Sequence, residues 1–171
     1  TTADEEAALG AAAADLLAGR IVAVKGLGGY HLACDATNPQ AVQTLRERKH
    51  RFAKPLAVMM ASLDKVKQHC VITPREEELL KGPSCPIVLL EWRNESTVSR
   101  DVAPGNRYLG AMLPYTPLHH LLLHDIDRPL VMTSGNDSVI LVVLDVLGHL
   151  PDRIRGMQAA LRAATLHIPW A

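Results

Sequence analysis

The densest chemistry in the sequence lies in residues 46–54, where five basic residues (Arg46, Arg48, Lys49, Arg51, Lys54) and His50 meet a single acid, Glu47. A basic run at a helix end is commonly just a solvated complement to the helix dipole. Here, however, Lys49 and Arg51 fall two apart at an expected helix-to-loop junction, and Lys54 precedes Pro55 and an apolar stretch. The cations therefore lie where the chain turns into the fold. A rigid Arg fork beside a mobile Lys charge suits a polyphosphate. The second feature is Thr133-Ser-Gly-Asn136, closing an apolar stretch. Hydroxyls, backbone amides and a Gly turn beyond the carboxyl end of a strand make a phosphate nest, although the same residues also make an ordinary β-turn.

Other candidates are weaker. Lys25-Gly-Leu-Gly-Gly29 follows a strand-like stretch but fits neither the dinucleotide fingerprint nor the Walker A pattern; its glycines still allow close backbone approach to a ligand. His31, beside Tyr30 and ahead of Asp35, can serve as acid, base or hydrogen-bond donor, or as a structural histidine. His120 and His124 share a helical face at a spacing that can hold zinc, but with no further ligand nearby ordinary helix packing is the preferred reading. Cys34 lies in an apolar strand, where a buried structural thiol is commoner than a nucleophile.

These residues need a scaffold, and the pattern supplies one. Residues 4–18 are rich in Ala, Leu and Glu and predict a helix stopped at Gly19. Strands are expected at 21–24, 30–34, 56–60, 87–90 and 130–133; helices are expected from Asn38-Pro39, Ser62, Thr73-Pro74 and Thr116-Pro117. Residues 94–106 read as an exposed, irregular connection. Short strands alternating with helices predict an α/β domain with a mixed sheet. At 171 residues and 48% hydrophobic content the chain has enough material for one cored domain. Lys plus Arg equal Asp plus Glu at 18 each, so no global field draws in nucleic acid or an anionic membrane. Six aromatic residues are too few for a single-strand stacking platform. Three widely spaced cysteines read as reduced thiols, the N-terminal residues are acidic rather than signal-like, and the apolar run 139–144 is too short to cross a bilayer. The expectation is a cytoplasmic protein with no membrane partner.

Five stretches taken together, Lys25-Gly-Leu-Gly-Gly-Tyr-His-Leu-Ala-Cys-Asp-Ala36, Leu45-Arg-Glu-Arg-Lys-His-Arg51, Lys54-Pro-Leu-Ala-Val58, Leu113-Pro-Tyr-Thr-Pro-Leu-His119 and Pro129-Leu-Val-Met-Thr-Ser-Gly-Asn136, closely resemble the YrdC-like domain of the hydrogenase-maturation carbamoyltransferases, the HypF family. The resemblance runs collinearly from about residue 8 to residue 136. The wider family carries Lys-x-Arg and Ser-x-Asn signatures, which fall here on Lys49-His50-Arg51 and Ser134-Gly135-Asn136. The resemblance implies an α/β (α+β) fold, a YrdC-like twisted mixed sheet with flanking helices and a basic concave cleft. It also implies an adenylate-forming reaction, in which carbamate and ATP give carbamoyl adenylate and pyrophosphate.

On that basis Lys49, Arg51 and His31 are the expected catalytic residues, with His31 near the carbamoyl group. Lys54, Lys25, Thr133, Ser134, Asn136, Tyr115, Thr116 and Pro117 are the expected nucleotide- and phosphate-binding residues, with ATP and phosphate-held Mg²⁺ as cofactors and no protein metal site. The small-molecule partners are ATP and carbamate or bicarbonate. Full-length relatives also carry acylphosphatase, zinc and carbamoyl-transfer modules, and none is legible in this sequence. The expectation is a domain, 1–136, that cannot carbamoylate the HypE maturation protein unaided, followed by a divergent segment, 137–171, packing on it. The alternatives are threonylcarbamoyl-adenylate synthesis for transfer RNA modification, a non-catalytic nucleotide- or double-stranded-RNA-binding module, and an inactive truncated domain or homodimer covering 139–144.

Overall fold

The computed structural model describes residues 3–25 and 29–135. Residues 26–28, Asn136 and the segment 137–171, with its apolar run, lie outside the described residues. Helix α1 (Ala3–Leu17) ends where Gly19 adopts φ +78°. Gly19 N–H then donates to Leu16 O at 3.0 Å and Arg20 N–H to Asp15 O at 2.9 Å, the paired bonds of a left-handed helix terminus that glycine adopts without penalty. Strands β1 (Val22–Lys25) and β2 (Tyr30–Asp35) follow. Helix α2 (Pro39–Arg48) starts on Asn38, whose side chain accepts from the Gln40 and Ala41 amides. Next come β3 (Ala57–Met59), α3 (Leu63–His69) capped by Ser62, β4 (Cys70–Val71), and α4 (Pro74–Lys81), which opens on a Thr73/Glu76 capping box. Strand β5 (Val88–Trp92), a 3-10 turn (Arg100–Val102), β6 (Tyr108–Met112), α5 (Pro117–Ile126) and β7 (Leu130–Ser134) complete the order.

The strands form one seven-stranded sheet in the order β1-β2-β7-β3-β6-β5-β4. All pairs are antiparallel except β3 with β6, so the mixed α/β sheet expected from the sequence is present. Strand alternation sorts side chains between two faces. One face carries Leu32, Cys34, Val58, Leu90, Leu109 and Val131 into a core with Val42 and Leu45 of α2, Val66 of α3 and Leu80 of α4. The opposite face carries Val22, Val24, Ala33, Met59 and Met132 against Leu16 of α1 and Leu122, Leu123 and Ile126 of α5.

Two expectations change. Residues 94–106 are not simply exposed: Val98, Val102 and Ala103 are buried core residues, and Leu56 N–H donates to Val102 O at 2.9 Å, so this connection closes one edge of the core. Strand β6 also goes unannounced in the sequence, because Gly110 and Ala111 interrupt its apolar signal. Gly110 is fitted to its place: a Cβ there would approach Ile87 Cγ2 to 3.1 Å. Among the described residues no helix is long and apolar enough to cross a membrane.

Candidate functional site

The side chains that can do chemistry converge because β2 and β7 pair with His31 opposite Ser134, while the loop after α2 comes up beside the same strand ends. That loop is shaped from inside. Arg46, buried on α2, donates to Arg51 O at 2.7 Å, Lys54 O at 3.1 Å and Val102 O at 2.9 Å, and also to Asp101 O. With its guanidinium committed to four carbonyls, Arg46 is a clamp for the basic loop rather than part of its ligand-facing charge. Between Lys49 and Arg51, His50 turns the chain in the left-handed region at φ 51°.

Lys49 Nζ donates to the backbone carbonyl of Ser134, joining the basic loop to the end of β7. Partial burial, and after it the neighbouring Arg51 charge, push the Lys49 ammonium below its ordinary range. Among the described residues neither Lys49 nor Arg51 has a carboxylate partner. Two neighbouring, partly desolvated cations without a carboxylate partner can attract an anion.

A cleft of about 460 Å³ opens here, lined by His31, Arg51, Tyr115, Thr133 and Ser134 among others. Its floor comes from the sheet and its strand ends, with Ala57, Met112 and Met132, and Ser84 and Cys85 close another side. His31 Nε2 and the Tyr115 hydroxyl lie 3.2 Å apart. Tyr115 in turn meets His119 edge to face, with ring centroids 4.6 Å apart. Burial lowers the pKa of His31 and, with help from His31 and His120, that of His119, so both rings favour the neutral form.

The expected site residues divide accordingly. His31, Arg51, Tyr115, Thr133 and Ser134 share the cleft, and Lys49 is tied to Ser134 at its margin. Lys54 is exposed on the clamped loop, and its carbonyl accepts from Arg46. Lys25 stands over the Tyr30 ring, 4.9 Å from its centroid, and lines a separate apolar groove between α1 and α5 that Pro117 also lines. Thr116 spends its hydroxyl on the His119 amide at 3.2 Å as the cap of α5. Thr116 and Pro117 thus start the helix that delivers His119, rather than lining the cleft. Asn136 lies outside the described residues.

His119 and Arg46 are the residues whose roles the sequence conceals. The Thr-Pro start fixes His119 one helical step inside α5, a signal that could have separated it from exposed His120; nothing local marks Arg46 as buried. Cys34 is fully buried, and burial followed by the Asp35 charge pushes its thiol up to about 12, the inert structural thiol the sequence favours. Asp35 is fixed by Thr37 and by Arg128 Nη1 at 2.8 Å.

The Sua5/YciO/YrdC family model, described as "Telomere recombination", matches residues 14–154. Carbamoyltransferase HypF of Rhodobacter capsulatus is 54% identical over 131 residues, 77% of this chain and 17% of that protein. Threonylcarbamoyl-AMP synthase of Mus musculus is 36% identical over 139 residues, 77% of this chain and 47% of that protein. The crystal structure of full-length HypF in its phosphate- and nucleotide-bound form superposes with a TM-score of 0.72 at 48% identity, covering 75% of this chain and 20% of that one. The chain thus spans less than a fifth of the length of its HypF relatives.

Proposed function

Because the chain belongs to the Sua5/YciO/YrdC family, and within it matches the YrdC-like region of HypF at the higher identity, we propose that it binds ATP in the cleft between the basic loop and the end of β7 and forms carbamoyl adenylate there. A carbamate oxygen attacks the α-phosphorus, the bond to the β,γ-diphosphate breaks, and pyrophosphate leaves. Negative charge builds on the leaving oxygens as that bond lengthens. Fixed cations stabilise it without having to reorganise. Lys49 and Arg51 serve this role, held by the Ser134 carbonyl and the Arg46 clamp respectively. Ser134 and Thr133 bind phosphate or carbamoyl oxygens, Asn136 extends that set, and His31 hydrogen-bonds the carbamoyl group. No covalent enzyme intermediate is needed.

Mg²⁺ enters on the nucleotide as part of the substrate, held by phosphates and water. Transfer to HypE belongs to parts of the longer relatives that this chain does not match. The three cysteines, all free, fit a reducing compartment such as the cytoplasm.

The single observation that carries the proposal is the pair of cations without a carboxylate partner among the described residues, Lys49 tied to the β7 terminus and Arg51 on the clamped loop lining the cleft. ATP–pyrophosphate exchange tests it. Exchange supported by bicarbonate or carbamate alone is the expected result. Exchange requiring threonine would move the chain to the threonylcarbamoyl branch, which the mouse relative represents, and ATP-independent, salt-sensitive RNA binding without exchange would overturn both.

A further inference from the structure

Among the described residues His31 is the one imidazole that lines the cleft, and a neutral imidazole offers a single hydrogen on one of two nitrogens. Which nitrogen carries it decides whether the ring donates to a ligand or accepts from one. The structure supplies a determinant. Tyr115 Oη lies 3.2 Å from His31 Nε2. A phenol is a strong donor and a modest acceptor, whereas a bare imidazole nitrogen is a strong acceptor. Burial, and then Cys85, raise the Tyr115 pKa, so the hydroxyl keeps its hydrogen.

Tyr115 is itself held in place. His119 is fully buried and stands perpendicular to the Tyr115 ring at 4.6 Å and to the His31 ring at 6.1 Å. Among the described residues, neither His119 ring nitrogen has a hydrogen-bond partner. Its contact with Tyr115 is therefore made by the ring and not by a polar bond. Among the described residues, the remaining groups around the cleft, Arg51 and Cys85, with Lys49 bound to the Ser134 carbonyl, include no carboxylate that would compete for a His31 hydrogen.

We propose that Tyr115 is a positioning residue for His31, donating its hydroxyl hydrogen to Nε2 and so fixing the tautomer that presents Nδ1–H to the ligand, with the His119 ring bracing Tyr115 from behind. This rests on the adenylate-forming reading only for the identity of the ligand: Nδ1–H then meets an oxygen of the carbamoyl group, and a ring that accepted instead would repel it.

The test is nitrogen-15 spectroscopy of the histidine side chains in the full chain, with the His31 signals identified by their loss in His31→Gln. The expected parent spectrum shows His31 with a protonated Nδ1 and an acceptor Nε2. Tyr115→Phe keeps the ring and removes the donor; it should convert His31 to a tautomer mixture and slow pyrophosphate exchange about tenfold, with ATP affinity nearly unchanged. His119→Ala should reproduce the mixture by releasing Tyr115. His119→Phe should restore the parent tautomer and raise stability, because a ring remains and two unpaired buried polar atoms go. A parent His31 protonated at Nε2, or a tautomer indifferent to Tyr115→Phe, would overturn the proposal. Absence of exchange in the parent would strike the adenylate reading alone, since the spectrum decides the tautomer without turnover.

Discussion

Leu89 and Leu90 are chain neighbours on β5, yet one is 64% exposed and the other fully buried. The contrast belongs to the whole sheet. On the Leu90 face, α2, α3, α4 and the 94–106 connection bring apolar side chains onto the strands. On the Leu89 face, α1 and α5 cover the β1, β2 and β7 side, whereas toward β5 Ile87, Leu89 and Tyr108 remain exposed. The cleft lies where that cover stops. Tyr115 and His119 come from the start of α5, His31 and Ser134 from strand ends, and Arg51 from the clamped loop. Among the described residues, the candidate site thus borders the less covered half of the sheet.

The largest expected effect tests that division directly. Leu90→Ala should cost about 2–5 kcal/mol in denaturant unfolding, as buried Leu truncations do, while Leu89→Ala should stay within about 0.5 kcal/mol. Equal losses would mean that the Leu89 face is sealed in solution, and the comparison would collapse.

Arginines on one short stretch provide the next contrast. Arg46→Ala removes the donor to the part-buried Arg51, Lys54 and Asp101 carbonyls and one of two donors to Val102 O, and should lower stability by about 2 kcal/mol or more. Arg51→Ala should leave stability nearly unchanged but weaken ATP binding by about tenfold to a hundredfold, the worth of charge-assisted hydrogen bonds. Lys49→Ala should behave like Arg51→Ala. Calorimetric titration beside a denaturation curve separates the two classes, and an Arg46 variant that is stable yet blind to ATP would reverse the assignment.

What could be read in the sequence follows the same line. Caps and breakers are local, so the helix starts at Asn38, Ser62, Thr73 and Thr116 and the stop at Gly19 were legible. So were Lys49, Arg51 and Ser134, because charge and turn chemistry are written in neighbouring residues. The burial of Arg46 was not, since it depends on carbonyls of residues 101 and 102 that arrive only with the tertiary fold. The coupling of His31 to Tyr115 and His119 joins β2 to the start of α5, far apart in the chain. Strand β6 hid because Gly110, where a Cβ would crowd Ile87, removes the apolar signal that marks a strand. Thr116 and Pro117 misled for the opposite reason: their local signal is strong, but it is a helix-start signal.

Acid should expose the histidines of both regions. His69 sits on the sealed side, within 3.2 Å of Ser96 Oγ, and His31 and His119 border the cleft; burial is the first cause lowering each pKa, with Lys65 next for His69. Above the ordinary value of 6.5 both folded and unfolded chains hold these rings neutral. Below it the unfolded chain takes up protons that the fold resists, so stability present above 6.5 is lost as pH falls through the lowered folded values. Denaturation midpoints measured from about pH 8 to about pH 5 should fall. A flat profile would mean that these rings are solvated and the sealed side is less closed than its packing indicates.

The smallest effect is the sharpest on the site itself. Ser134→Ala deletes a neutral hydroxyl from the cleft but keeps the backbone carbonyl that receives Lys49. The cation stays anchored, and the loss is that of a neutral hydrogen bond, about half the strength of a charge-assisted one. ATP affinity should therefore fall only a few-fold, less than in Arg51→Ala, with stability unchanged. If Ser134→Ala proved the more damaging, the phosphates would rest on the β7 terminus rather than between it and the basic loop. The open half of the sheet would then bind through its strand ends, with Lys49 and Arg51 serving to draw the nucleotide in.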